Sequence, residues 1–489
     1  MRWPTRFPLP HSAVGRLAAL LALAVALRAW DFGNPVVHVD EQWYLLVGDR
    51  MWHGAWPDID LWDRKPPGLF AIYAAIRALP GDGILAYQIV ATLFAAATAA
   101  LVDRAAVRVG ASRGAALAAA AAYLIWLPLL SGRGGETPVF YNLFVTGAAL
   151  LTLHLPERAA AGDRRGIGRS GAAACLLAGL AIQTKYTPVV EGAFFGLVHL
   201  HHLRRAGARL PAVIGAGAAW MLLGALPTLI VVALYATRPA AEFAMFRSAD
   251  FGSVLLKHGF PAGKIAMRLL GTTAQLAPLW LCTIATIRAG GSPALRIAVG
   301  WLVAALIGFA MIGSFFDHYA LPLVAPLAIL ASRTFTRHPR ALWLSLMAGL
   351  AVFVVKLATR PDDASGARAA AAFVAAHTPP GECPYVFAGD SITYLLAQAC
   401  TPTRYAFPST LAYAAEQGAT GIDEAAEVRR IMAGRPPAVV MLEEPLTPWN
   451  QASLAVVTAA LKRGYRPALR VPEYGTHLVV YLRIRQSGK

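Results

Sequence analysis

Long apolar runs separated by short, arginine-bearing stretches dominate the first 357 residues. The clearest are Leu17–Leu27, Ile84–Val102, Ala115–Leu130, Ala212–Ala236 and Trp301–Ile312. A bilayer core about 30 Å thick takes roughly 20 apolar residues as helix. Backbone groups in lipid must be satisfied within the segment, so these runs are expected to be helices. The pattern predicts eleven spans, at about 13–30, 84–102, 114–131, 138–155, 170–184, 187–203, 211–236, 265–287, 297–313, 319–332 and 341–357. Spans 170–184 and 319–332 are short and call for local thinning or burial in the bundle. Pro67–Leu79 is too short to span and reads as an interfacial helix.

From about residue 358 the pattern changes. Short strand-like runs, Tyr385–Ala388, Ala438–Leu442 and His477–Ile484, alternate with helical stretches at about 364–377, 422–433 and 451–463. This predicts a small α/β domain over 358–489 with a partly parallel sheet. The expected domains are thus 1–357, transmembrane, with a first outside loop at 31–67, and 358–489.

Composition agrees: 57% of the 489 residues are hydrophobic and 15% charged, against about 25% charged in soluble domains. The net charge of +17 would suit nucleic acid, but its distribution excludes that partner. Eighteen arginines fall in six short stretches between apolar runs: Arg2, Arg6 and Arg16; Arg104, Arg108 and Arg113; Arg158, Arg164, Arg165 and Arg169; Arg204, Arg205 and Arg209; Arg288 and Arg296; Arg333, Arg337 and Arg340. Only Asp103, Glu157 and Asp163 oppose them there. By the positive-inside rule these stretches are cytoplasmic. The N-terminus is then inside, and the tail and loop 31–67 outside. The N-terminal run resembles a signal peptide but reads as a retained first helix, because many spans follow it. Cys175 and Cys282 lie in apolar runs and read as inert. Cys383 and Cys400, in the outside tail, are a candidate disulfide.

This topology gathers the polar chemistry at one membrane face. Loop 31–67 carries His38, Asp40, Glu41, Asp63, Arg64 and Lys65. Glu136 and Asn142 begin one span; Gln183, Lys185 and Tyr186 form one outside turn, and Asp317, His318 and Tyr319 another. Ionisable residues at membrane depth are functional candidates by default. In His38-Val39-Asp40-Glu41 the paired carboxylates suit a general base, while Asp40 as the N-cap of a helix over Gln42–Trp52 fits equally. Arg64 and Lys65 before Pro66-Pro67 suit a phosphate, or a headgroup anchor. Lys185 suits a phosphate or a pairing with Glu191. Glu136 is either catalytic or a helix-start charge, and His318 either a phosphate or sugar contact or structural. No P-loop, CxxC pair or HExxH helix occurs, and Gly389-Asp390-Ser391 lacks the flanking pattern of a hydrolase elbow.

Asp40-Glu41 after the first span, followed by Asp63-Arg64-Lys65-Pro66-Pro67-Gly68-Leu69-Phe70, resembles the first extracytoplasmic loop of the bacterial branch of the protein O-mannosyltransferase superfamily, which includes the aminoarabinose transferases of lipid A. Glu136, Gln183-Thr184-Lys185-Tyr186 and His318-Tyr319-Ala320-Leu321-Pro322 match later family positions. The resemblance covers about 1–335. It implies a GT-C fold and a glycosyltransferase that moves a sugar from a polyprenyl-phosphate donor to an acceptor hydroxyl on a lipid, glycan or protein, at the periplasmic face of the bacterial inner membrane. Asp40 would be the base, with Glu41 positioning or replacing it, and Glu136 would help at the sugar or acceptor. Arg64, Lys65, Lys185, His318 and Tyr319 would hold the donor phosphate. His318-Tyr319 departs from relatives that carry arginine or lysine near the tyrosine. A divalent metal is a family option that the acidic residues would suit. The alternatives are a transporter or flippase of lipid-linked sugars, which favours midplane charges and internal repeats, and a scaffold for a binding domain, which leaves loop 31–67 without a task.

Overall fold

The computed structural model describes residues 12–253 and 260–484. Arg2 and Arg6 lie outside the described residues. Each of the eleven expected spans is a helix. Among the described residues, eight helices are long and apolar enough to cross a membrane: Ala13–Asp31, Ile84–Arg108, Thr137–Ala160, Leu210–Tyr235, Ala262–Ala289, Pro293–Met311, Asp317–Arg337 and Pro339–Ala358. The chain is a multi-pass membrane protein. The other three helices fall short for visible reasons. Arg113–Leu129 has only 17 residues. Arg164–Ile182 opens with Arg164, Arg165 and Arg169. Val189–Arg205 carries Glu191, Arg204, Arg205 and three histidines.

The chain divides into two compact units. The first collects 1–32, 88–233 and 261–359. Leu321–Arg337 is its central helix, buried along nearly its whole length between Arg113–Leu129 and Ala262–Ala289. Small residues let helices meet closely where no water-driven force holds them. A Cβ at Gly179 would lie 2.3 Å from the carbonyl oxygen of Gly224, so Arg164–Ile182 and Leu210–Tyr235 touch backbone to backbone there. Leu210–Tyr235 is otherwise open, with 6% of its apolar window buried.

The second unit collects 33–87, 234–260 and 360–489. Its sheet has the order β1-β2-β4-β3. β1 (Tyr385–Val386) pairs parallel with β2 (Ala438–Leu442). β3 (Tyr465–Glu473) and β4 (Thr476–Arg483) are antiparallel, and β4 is antiparallel to β2. The partly parallel sheet is as expected; β3 is not. Pro467 and Pro472 hide it in the sequence, and both are tolerated because β3 is an edge strand with a bulge at 467–469. Tyr474 and Gly475 close the hairpin with φ of 50° and 76°, the left-handed pair of a two-residue turn. Helices Ala364–His377, Glu424–Ala433 and Gln451–Gly464 stand where expected. Tyr385, Phe387, Val439, Val428, Ile431 and Leu461 build the core. A disulfide joins Cys383 to Cys400.

In the same unit, helices Val39–Met51 and Pro67–Arg77 pack at close range because residue 48 is glycine. A Cβ there would come within 2.7 Å of the Tyr73 and Ala74 backbone. Pro66 and Pro67 start the second helix, where a missing N–H costs nothing. The first of these helices carries the acidic half of the motif over 38–70, and the loop leading into the second carries the basic half.

Candidate active site

In the second unit, helix Val39–Met51 has its N-cap two residues earlier than the cap reading of Asp40 requires. Its N-cap is His38, whose Nδ1 accepts the Asp40 N–H at 3.3 Å. Asp40 therefore sits inside the first turn and does not cap the helix. Its Oδ2 accepts from the Tyr44 hydroxyl at 3.1 Å and lies 3.6 Å from Lys65 Nζ. The lysine ammonium stands 4.9 Å from the centroid of the Tyr44 ring. Asp40 and Lys65 are thus adjacent partners. Asp40 keeps partial exposure, whereas Glu41 is wholly buried.

Lys65 is aimed by its own loop. Asp63 Oδ1 accepts the backbone N–H groups of Arg64 at 2.5 Å and Lys65 at 3.1 Å, an Asx-type turn that leads into Pro66-Pro67. Arg64 turns elsewhere, pairing with Glu416 and lying 5.5 Å from the Trp62 ring centroid.

Behind the acidic turn, Gln42 is buried. Its amide donates to Asp390 Oδ1 at 2.9 Å and to the Tyr474 hydroxyl at 3.1 Å. Tyr474 donates to the same Asp390 oxygen at 2.6 Å, and the Ile392 N–H reaches Gln42 Oε1 at 3.4 Å. Gly389-Asp390-Ser391 is therefore a docking turn for helix Val39–Met51. Burial pushes Asp390 up to about 6. Burial, with the nearby Asp390 and Asp363 carboxylates, pushes Glu473 up to about 10, so Glu473 is the member of the pair that keeps its proton at neutral pH.

In the first unit, Glu136 is the wholly buried N-cap of Thr137–Leu153, and its side chain makes no capping bond. The turn before it is held by Arg28, a residue the sequence reading left inside a span. Arg28 is 2% exposed. It donates to Thr92 Oγ1 at 3.1 Å, to the Gly132 carbonyl at 2.5 Å and to the Gly134 carbonyl.

Lys185, His318 and Tyr319 come together in this unit. Lys185 Nζ stands 3.9 Å from the Tyr319 ring centroid, a cation–π distance, and the His318 and Tyr319 rings meet edge-on at 4.4 Å. Glu191, the alternative partner of Lys185, accepts from Trp301 Nε1 at 2.6 Å. Asp317 accepts the His318 N–H at 2.8 Å and binds Ser131 at 2.7 Å. A further cation joins this turn. The Arg268 guanidinium lies 3.8 Å from the Phe316 ring centroid and donates to the Ser314 carbonyl at 2.6 Å. It stands on helix Ala262–Ala289, far from any quoted motif, and its only sequence signal is a charge inside an apolar run.

No family model matches the sequence, and no curated protein matches it. Solved structures do. ArnT from Cupriavidus metallidurans bound to undecaprenyl phosphate aligns with a TM-score of 0.63 at 15% identity, covering 96% of this chain and 98% of that one. The same protein in the apo state aligns with a TM-score of 0.64, also at 15% identity and with the same coverage. ArnT is a GT-C-fold glycosyltransferase. The fold of this chain is that fold along nearly its whole length, as the resemblance over 38–70 implied.

Proposed function

We propose that the chain is a glycosyltransferase moving a sugar from a polyprenyl-phosphate donor to an acceptor hydroxyl at the periplasmic face of the inner membrane. The observation that carries this reading is the end-to-end likeness to ArnT, a protein solved with undecaprenyl phosphate. Nothing in the likeness favours the transporter alternative.

Asp40 is the base. It is partly exposed and takes the acceptor hydroxyl proton as oxygen attacks the anomeric carbon. The bond from that carbon to the phosphate oxygen breaks, and the polyprenyl phosphate leaves with the bonding pair. Attack in line with departure inverts the anomeric centre. Glu41, wholly buried, positions the turn that carries Asp40. Glu136, also buried, serves the sugar or acceptor. The leaving phosphate needs fixed positive charge, and Lys65, Lys185 and His318 supply it, with Tyr319 shaping the Lys185 position. We add Arg268 to this group. Arg64 supports the Lys65 loop through Glu416.

In the second unit, His38 and Asp40 are donor types that suit a divalent cation. An ion held by them would lend charge to the phosphate; assay with and without a chelator checks it.

The test presents the full chain in nanodiscs with undecaprenyl-phosphoryl mannose, galactose, arabinose or aminoarabinose, and with envelope from a deletion strain as acceptor. The expected result is release of undecaprenyl phosphate from one donor, with its sugar in an envelope product. Release from none of them, with undecaprenyl phosphate failing to bind, would overturn the reading. The productive donor also settles hexosyl against pentosyl transfer.

A further inference from the structure

The contact between Gln42 and the Asp390–Tyr474 pair has no role in the reaction as written. Residues on a helix advance about 100° each, so Gln42 lies roughly 200° around the axis from Asp40, on the opposite face. A bond on that face fixes the rotation of the helix about its axis. The contact at Gly48 fixes something different, the separation from helix Pro67–Arg77, whose preceding loop carries Lys65. Rotation and separation together set the Asp40–Lys65 geometry.

The chemistry of the contact is directional where an apolar one would have sufficed for packing. A buried amide left unsatisfied is costly, yet Gln42 is 1% exposed and is met on both ends, by Asp390 and Tyr474 at its nitrogen and by the Ile392 N–H at its oxygen. Tyr474 is held in turn by the two-residue hairpin turn, and its backbone N–H donates to Asp363 at 3.2 Å. The partners come from two separate parts of the C-terminal segment, residues 390–392 and 474, so the docking requires that segment folded.

We propose that Gln42, gripped by Asp390 and Tyr474, is the positioning residue that sets the rotation of helix Val39–Met51 and thereby presents Asp40 toward the acceptor. The inference rests on the assignment of Asp40 as the base. It gives the C-terminal segment a part in turnover beyond its own folding.

The test uses the full chain in nanodiscs, with the variants Gln42→Leu, Tyr474→Phe, Asp390→Leu and the Gln42→Leu/Asp390→Leu pair. Hydrogen exchange of amides 39–45 is read first, because it needs no activity. Exchange there should rise about tenfold or more in Gln42→Leu while strands β2 and β4 keep their protection. Single-turnover release of undecaprenyl phosphate should fall by up to about 10²-fold, the size of a misplacement near 1 Å, with undecaprenyl phosphate affinity within about twofold of the parent. Asp390→Asn keeps an acceptor for Gln42 and should restore most of the rate lost in Asp390→Leu. The double variant should be no worse than either single one, since all break one link. Should Asp390→Leu fail to fold, Tyr474→Phe still tests the link from the same side.

Unchanged exchange over 39–45 in Gln42→Leu overturns the inference, as does a rate loss that tracks a loss of donor affinity. If exchange rises but the parent transfers no sugar, the helix is docked as described and it is the transferase reading that fails.

Discussion

Lys65 Nζ and Asp40 Oδ2 lie 3.6 Å apart, each about one-fifth exposed. The pair keeps partial solvent contact, so both groups remain available to substrate. Each partner should therefore fail differently when removed. Asp40→Asn should cut single-turnover sugar transfer by about 10²–10⁴-fold with undecaprenyl phosphate binding largely retained. Lys65→Ala should weaken undecaprenyl phosphate binding first. Titrations and single-turnover rates in nanodiscs separate the two, and normal turnover in both Asp40→Asn and Glu41→Gln would remove the catalytic reading of this turn.

The cations around Tyr319 should act on the donor. Lys185→Ala and Arg268→Ala should each weaken undecaprenyl phosphate binding by about ten- to a hundredfold, the range of one charge-assisted hydrogen bond of roughly 1.5–3 kcal/mol. Tyr319→Leu should reproduce part of the Lys185 effect, because the ring holds the ammonium. Unchanged affinity in both charge variants would place the phosphate elsewhere.

Glu473 is held protonated in the folded chain by burial and by its acidic neighbours. A carboxyl whose folded pKa is raised binds more protons folded than unfolded, so stability falls as pH rises between the two values. The second unit should lose stability from about pH 4.5, the unfolded range of a glutamate, toward about pH 10, with Asp390 adding a smaller loss up to about 6. Glu473→Gln should raise the melting temperature at pH 8 by a few degrees and flatten the slope. A steeper slope in the variant would refute the assignment.

The Cys383–Cys400 bond closes a loop with a sequence separation of 17. Loop-closure entropy for that length gives about 3 kcal/mol. Reduction, or Cys383→Ala with Cys400→Ala, should destabilise the second unit by that order while leaving the first unit's helices intact. Melting with and without reductant, followed by circular dichroism, reads both.

The proposed orientation is open to direct measurement. Reporter fusions near residues 70 and 400 should signal outside and one near 165 inside. An inside signal at 400 would invert the assignment of every loop.

The helices of the expected spans were legible because a long apolar run in lipid must be helical; the orientation read from arginine placement awaits the reporter fusions. Strands β1, β2 and β4 were legible as apolar runs; β3 was masked by two prolines that only an edge strand accepts. At the site, the motif over 38–70 was legible as clustered charge. The helix start was not, because His38 caps it through a ring nitrogen, an uncommon cap that composition does not flag. Gln42, Arg28 and Arg268 escaped for a different reason. Each acts through a partner remote in sequence, and no local periodicity reports a contact between residues 42 and 390 or 268 and 316.

Over residues 210–233 the open helix Leu210–Tyr235 touches its neighbours at Trp220, which fills the space beside Gly171, at Gly224, which lies against Gly179, and at Thr228, whose hydroxyl accepts from the Gln183 amide at 2.8 Å. Along the rest of its length the surrounding lipid asks for greasiness and nothing more. Leu, Ile, Val, Phe and Met are interchangeable to a hydrocarbon tail, so Met221, Leu222, Leu229 and Ile230 should be free to drift among them in a mutational library. Selection for a folded protein would leave a spelling fixed at a few letters, Trp220, Gly224 and Thr228 among them, inside an otherwise loosely spelled hydrophobic word.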